Sequence, residues 1–175
     1  MAVTSYDLVT EVTEADTQEV WPVYDAVFGD RADIDSWRST TWDLHVARDG
    51  FRLARAYDVE GGSRRLVGFA YGYTGAHGQW WTDQANRVLA PDVAAEWLGG
   101  HFDLVSLGVL EEARRRGLGR ALLREVTRDL PNPRWTLTTS GDAEDPARHL
   151  YASEGWQVIG PGLIDGQVTM GRRRP

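Results

Sequence analysis

The sequence predicts an α/β chain with a mixed central sheet flanked by helices, and three observations carry that expectation. Two alternating apolar runs, residues 51–57 and 65–74, are separated by Gly61-Gly62-Ser63 and read as an antiparallel hairpin. A strand-like run over 101–109 leads through an arginine-rich turn into a helical stripe of Leu118, Leu122, Val126 and Leu130, stopped by Pro131. A further strand-like run over 134–139 is followed by Asp145-Pro146, a cap residue and a first-turn proline, at the head of a short helix.

Taken in order, residues 6–13 alternate as a first strand. Thr13 or Asp16 then caps a helix to about Phe28, with Pro22 inside it and Gly29 closing it. Asp33 to Ser36 offers caps for a second helix with Trp37, Thr41, Leu44 and His45 on one face. After the hairpin, residues 75–100 are the least regular stretch, with Trp80-Trp81 and a short helix opening at Pro91. Its length predicts a partly helical cover over a substrate pocket; the alternative is a surface excursion packed down by its tryptophans. Beyond the second helix-forming motif, Gly155 ends the helix and residues 156–159 and 167–170 supply the last strands. The tail from Arg172 is expected to be frayed, solvated charge.

Composition narrows the function classes. A chain of 175 residues, 42% apolar and 26% charged, is expected to form a single domain over 1–175 with its own core. It holds no repeat, low-complexity tract or linker. No apolar run approaches the roughly 18 residues of a membrane span, and the N-terminus lacks the basic and apolar regions of a signal peptide. The expected location is cytoplasmic. Absence of cysteine removes disulfides, thiol nucleophiles and thiolate metal sites. Absence of lysine removes Schiff-base chemistry and leaves only guanidinium cations. His45, His77, His101 and His149 show no mutual ligand spacing, so no metal is expected. The net charge of −7 is uneven: residues 1–100 hold 8 arginines against 16 acids, residues 101–175 hold 11 against 10. An acidic first half beside a basic turn suits a cationic substrate meeting an anionic cosubstrate, and it disfavours nucleic acid.

The turn Arg114-Arg115-Arg116-Gly117-Leu118-Gly119-Arg120-Ala121 is the focus. A strand, a basic glycine turn and a helix suit a phosphate, because the first helical N–H groups lack internal partners and the helix dipole favours an anion. A P-loop is excluded for want of a Gly-Lys-Ser/Thr ending, and a dinucleotide fingerprint fails because Leu122 stands at its third glycine. The bland alternative is a charged helix start with tolerated glycines. The remaining pattern, Arg-x-x-Gly-x-Gly on Arg114, Gly117 and Gly119, resembles motif A of the Gcn5-related N-acetyltransferases. Downstream, the alanine, Tyr151, Gly155 and Trp156 of the 145–156 stretch resemble motif B of the same family, with Glu144 where an asparagine often stands.

The resemblance covers about residues 4–170. It implies a mostly antiparallel sheet of six to seven strands whose fourth and fifth strands splay apart, and acetyl-CoA as the acyl donor. It implies main-chain groups near Leu107 and Val109 for pantetheine and thioester, and N–H groups from Arg115 to Arg120 for the diphosphate. Arg114 and Arg116 would add charge there, with Leu118, Gly119 and Ala121 lining the turn. Tyr151 becomes the candidate acid, protonated at neutral pH, the alternative being a packing tyrosine. Asp103 and His101, on one strand face by period two, are the candidate bases, unless a water chain takes the proton. Glu111 and Glu112 are expected to pair with arginines, and the later arginines of the 116–128 stripe to be solvated. The expected activity is acetyl transfer to a primary amine of a small molecule by direct attack in a ternary complex. A protein or peptide N-acetyltransferase, or a non-catalytic acyl-CoA-binding sensor, are the alternatives. Coenzyme A is the implied partner, and a homodimer is common in the family.

Overall fold

The computed structural model describes residues 3–175. Its strands are β1 (Val3–Val9), β2 (Arg52–Glu60), β3 (Ser63–Thr74), β4 (Phe102–Val109), β5 (Arg134–Ser140), β6 (Gln157–Pro161) and β7 (Gln167–Arg173), in the sheet order β1-β2-β3-β4-β5-β7-β6. The pairs β1–β2, β2–β3, β5–β7 and β6–β7 are antiparallel, and β4 with β5 is parallel. That parallel ladder joins Phe102 to Trp135 and Asp103 to Thr136, and stops two residues into β4, as a splay of these strands requires. The helices are α1 (Glu14–Phe28), α2 (Ile34–Trp37), α3 (Asp43–Val46), α4 (Trp80–Val88), α5 (Pro91–Trp97), α6 (Leu118–Val126) and α7 (Pro146–Ser153). By their contacts the residues form two compact units, 1–73 with 106–128, and 74–105 with 129–175.

In the first unit, Thr13 caps α1 through a reciprocal box with Asp16, and left-handed Gly29 ends it. Pro22 lies within the helix and does not divide it. The second helix is less regular than its stripe predicts. A π-helical stretch, Arg38–Trp42, separates α2 from α3. Its wider turn shifts the inward face, so Trp42 is buried and Leu44, expected inside, is 55% exposed. Gly61 and Gly62, both at positive φ, make the hairpin turn between β2 and β3. Along β3, Phe69 meets the Tyr24 ring of α1, while a Cβ at Gly68 would touch Leu122 of α6. Successive residues thus bury against opposite helices, which is why β3 is buried on both faces. Arg55 of β2 is buried and holds Asp7 at 2.8 Å, Asp16 at 2.5 Å and Glu19 at 3.4 Å. With three carboxylates around it, that guanidinium stays charged although it has left water.

In the second unit, α4 and α5 share a cluster of Ala85, Leu89, Ala94 and Leu98, against which Trp81, Ile159 and Leu163 pack. A Cβ at Gly171 would strike the Trp97 ring, and Trp81 Nε1 donates to Thr138 Oγ1 at 3.1 Å. Tryptophans therefore pin the 75–100 segment to β5, β6 and β7, while Trp80 is 66% exposed. The frayed tail is a correction. Arg172 and Arg173 belong to β7, opposite Trp135 and Arg134. Arg172 lies over the Trp135 ring, Arg173 lies over the Trp97 ring and pairs with Glu96, and Arg174 donates to the Pro131 carbonyl. Strand pairing and cation–π contact order this charge, although Arg173 and Arg174 remain exposed to water.

Candidate functional site

In the first unit the end of β4 is fastened to β3 by a hydrogen bond from Leu110 N–H to the Val67 carbonyl at 2.9 Å. A single 3-10 turn, Glu111–Ala113, follows, and then the arginine turn. Two of its residues have positive φ, Arg115 at 62° and Gly117 at 79°. For glycine this conformation is free, whereas for arginine it stores about 1 kcal/mol of strain. Gly117 is the N-cap of α6 and supplies no side-chain cap. The first helical bond of α6 runs from Ala121 N–H to the Gly117 carbonyl, so the N–H groups of Leu118, Gly119 and Arg120 precede the hydrogen-bonded ladder. A Cβ at Gly117 would meet nothing within 4 Å, so the approach to this backbone is open.

The arginines divide by partner. Arg116 is held bidentately by Asp58 at 2.6 and 3.0 Å and also donates to Thr4 Oγ1 at 3.0 Å. Arg114 Nε donates to the Val109 carbonyl at 3.2 Å, while Glu112 pairs with Arg65 at 3.1 Å. The later stripe, Arg120, Arg124 and Arg128, is exposed, and Arg128 pairs with Glu125 one turn back. Leu107 and Val109 are half-buried, whereas Leu118 is buried and starts the α6 stripe with Leu122 and Val126. Ala121, on the first turn, is half-buried. Gly108 lies against Val27 and Phe28, where a Cβ would come within 3.2 Å and 3.3 Å of their side chains. Phe28 itself is 42% exposed.

In the second unit, α7 starts on a filled cap: Asp145 accepts from Ala147 N–H at 2.8 Å, ahead of Pro146. Tyr151 is 8% exposed, and its ring packs on Trp156 with centroids 6.1 Å apart. Burial, reinforced by the Asp145 carboxylate, pushes its phenol up to about 12, so the hydroxyl is protonated at neutral pH. Packing and proton-donor readings of this residue are thus compatible.

His101 is fully buried and Asp103 is 3% exposed, both ahead of the splay. Gly99 N–H donates to His101 Nδ1 at 3.0 Å, which places the ring proton on Nε2. Nε2 is buried without a partner among the described residues. In that tautomer neither ring nitrogen offers a free lone pair. Burial, with Arg134 and His77 nearby, lowers the imidazole to about 4, so it is neutral. The backbone of Gly75 lies on this ring: a Cβ there would overlap it, and Gly75 N–H donates to the His101 carbonyl at 2.8 Å. Among the described residues no group of three or more His, Asp or Glu side chains is arranged for a metal ion, and no helix is long and apolar enough to cross a membrane.

The model of the Acetyltransferase (GNAT) family matches residues 17–156. The chain belongs to this family. A GCN5-like protein acetyltransferase of Mycobacterium tuberculosis is 29% identical to this GNAT chain over 150 residues, 71% of the chain and 73% of the relative. An acetyltransferase from Thermus thermophilus shares the fold at a TM-score of 0.67, with 17% identity over 99% of this chain and all 100% of that one. The PaiA N-acetyltransferase of Thermoplasma acidophilum, solved with coenzyme A, superposes at 0.60 with 13% identity, over 97% and 99% of the two chains. Membership supports acyl-CoA-dependent acetyl transfer in general. Asp58 and Thr4, which bind the arginine turn of this GNAT domain, belong to no local motif; the signal for them is the strand register, which sets Thr4, Asp58 and Arg65 side by side.

Proposed function

We propose that this chain is an acetyl-CoA-dependent N-acetyltransferase that moves an acetyl group to a primary amine of a small molecule by direct attack in a ternary complex. The observation that carries the reading is the start of α6, where left-handed Gly117 leaves the helix uncapped and open beneath a basic turn. The diphosphate of acetyl-CoA is assigned to the N–H groups from Arg115 to Arg120, with Arg114 adding charge, Arg115 doing so in place of Arg116, which Asp58 holds, and Gly119 and Ala121 keeping the first turn of the helix slim. Main-chain groups at Leu107 and Val109 are assigned to pantetheine and the thioester.

In the reaction the neutral amine attacks the thioester carbonyl carbon, the C–S bond breaks, the amine loses one proton and the departing thiolate gains one. Tyr151 is the donor to that thiolate, in keeping with a phenol held in its protonated form. Amine deprotonation is assigned to Asp103 acting through water. His101, whose lone pair is taken by Gly99, instead holds the start of the strand in place. A small cationic acceptor is supported by the acidic first hundred residues and by the exposed Phe28 edge beside Gly108.

A protein substrate is the second reading, favoured by the protein acetyltransferase name of the Mycobacterium tuberculosis relative. Free-thiol release from acetyl-CoA, run over a panel of polyamines, aminoglycosides, amino acids and peptides, decides between them. Release with small amines is the expected outcome. Release with peptides alone supports the second reading, and no release despite CoA binding leaves a non-catalytic acyl-CoA sensor.

A further inference from the structure

The arginine turn is fastened to one row of the sheet. Thr4, Asp58 and Arg65 are directly paired across β1, β2 and β3, so their side chains rise on one face. Two residues of the turn come down on that row: Arg116 on Asp58 and Thr4, and Glu112 on Arg65. Between these anchors Arg115 is kept at a φ of 62°, which a free arginine seldom adopts. An exposed pair such as Glu112–Arg65 adds little. The Asp58–Arg116 fork is different, since it is bidentate, reaches a third group, and has its carboxylate largely shielded, with the Asp58 side chain 17% exposed.

We infer that Asp58 is a positioning residue for the diphosphate site: it engages Arg116 as a strut that holds the Arg115–Gly117 backbone in its anion-binding shape, so Arg116 serves the site without ligating phosphate. The inference rests on the acetyl-CoA reading above. It also sets Arg116 apart from Arg115, the other arginine at a position that the motif leaves open.

Charge exchange tests it, with CoA affinity measured by calorimetry and folding followed by circular dichroism. Asp58→Asn and Arg116→Gln should each weaken CoA by about tenfold, and the double variant by no more than either single one, because both remove the same strut. Arg116→Asp alone should lose more than tenfold by repulsion from Asp58, roughly the scale of a broken charge pair. Combining it with Asp58→Arg re-forms the fork in reverse and should restore affinity to within about fivefold of the parent. If the exchanged protein binds CoA as poorly as Arg116→Asp alone, or if Asp58→Asn binds CoA more tightly than the parent, Arg116 is itself a phosphate ligand and the inference is overturned. The Asp58→Asn substitution is nearly isosteric, so it keeps the test open should the exchanged chain fail to fold. Absence of CoA heat in the parent protein would instead bring down the acetyl-CoA reading itself, and the positioning role with it.

Discussion

The helices α6 and α7 each follow a strand of the sheet, yet they begin in opposite ways. The start of α7 is completed from within: Asp145 caps Ala147 N–H and Pro146 removes a donor that would otherwise need a partner. The start of α6 has a left-handed glycine at the cap position, which makes no side-chain cap hydrogen bond. In the first unit charged side chains are paired on both faces of the sheet, Arg116 with Asp58 beside α6 and Arg55 with three carboxylates on the α1 side. In the second unit Tyr151 and His101 are held neutral, the one by a raised pKa and the other by a lowered one, as His45 is in the first. A helix whose own residues satisfy its end is structural. One whose end is open, beside a basic turn, suits an anion.

Substitutions on each side probe that contrast. Tyr151→Phe carries the largest expected effect, a fall in kcat of about 100-fold or more with CoA affinity unchanged, if the phenol is the proton donor. Steady-state kinetics beside calorimetry measure both, and an unaltered kcat would leave Tyr151 with its packing role alone. Gly117→Asp puts a carboxylate where the diphosphate is proposed to sit, in a left-handed conformation that aspartate tolerates, and should weaken CoA by about 100-fold or more. Since a Cβ at Gly117 meets no protein atom within 4 Å, folding should survive, and retained affinity would contradict the open-end reading.

The neutral side of the comparison has a pH signature. His101 has an ordinary pKa near 6.5 when unfolded and about 4 when folded, so below pH 6.5 the unfolded chain binds the extra proton first. Stability is therefore highest above about pH 6.5 and declines towards pH 4, by about 3 kcal/mol for this residue. His45, also lowered to about 4 by burial and Arg48, adds a decline of the same sign. Urea titrations across this range should show a shallower decline in His101→Gln, and an identical slope would mean that His101 does not titrate as described. The smallest effect is at the filled cap. Asp145→Ala should cost about 1 kcal/mol, or roughly 2–4 °C in Tm, while leaving CoA affinity intact.

The amino-acid order alone was enough wherever the governing physics is local. Gly61-Gly62 dictates a tight hairpin because both residues accept positive φ, the Thr13–Asp16 box and Gly29 delimit α1, and Asp145-Pro146 opens α7. The glycine and arginine spacing around Gly117 is local too, which is why the turn and the family resemblance were readable. Tertiary context settled the rest. The π-helical stretch that turns Trp42 inward answers to the aromatic core around Trp37 and Tyr71. Ordering of Arg172 to Arg174 depends on β5 and on the Trp97 and Trp135 rings, which are distant in sequence. The tautomer of His101 depends on a backbone N–H two residues away that only the folded loop aims at it. Most of all, Arg116 looks no different from Arg115 until strand register brings Asp58 and Thr4 beneath it, because pairing across a sheet joins residues that no local pattern connects.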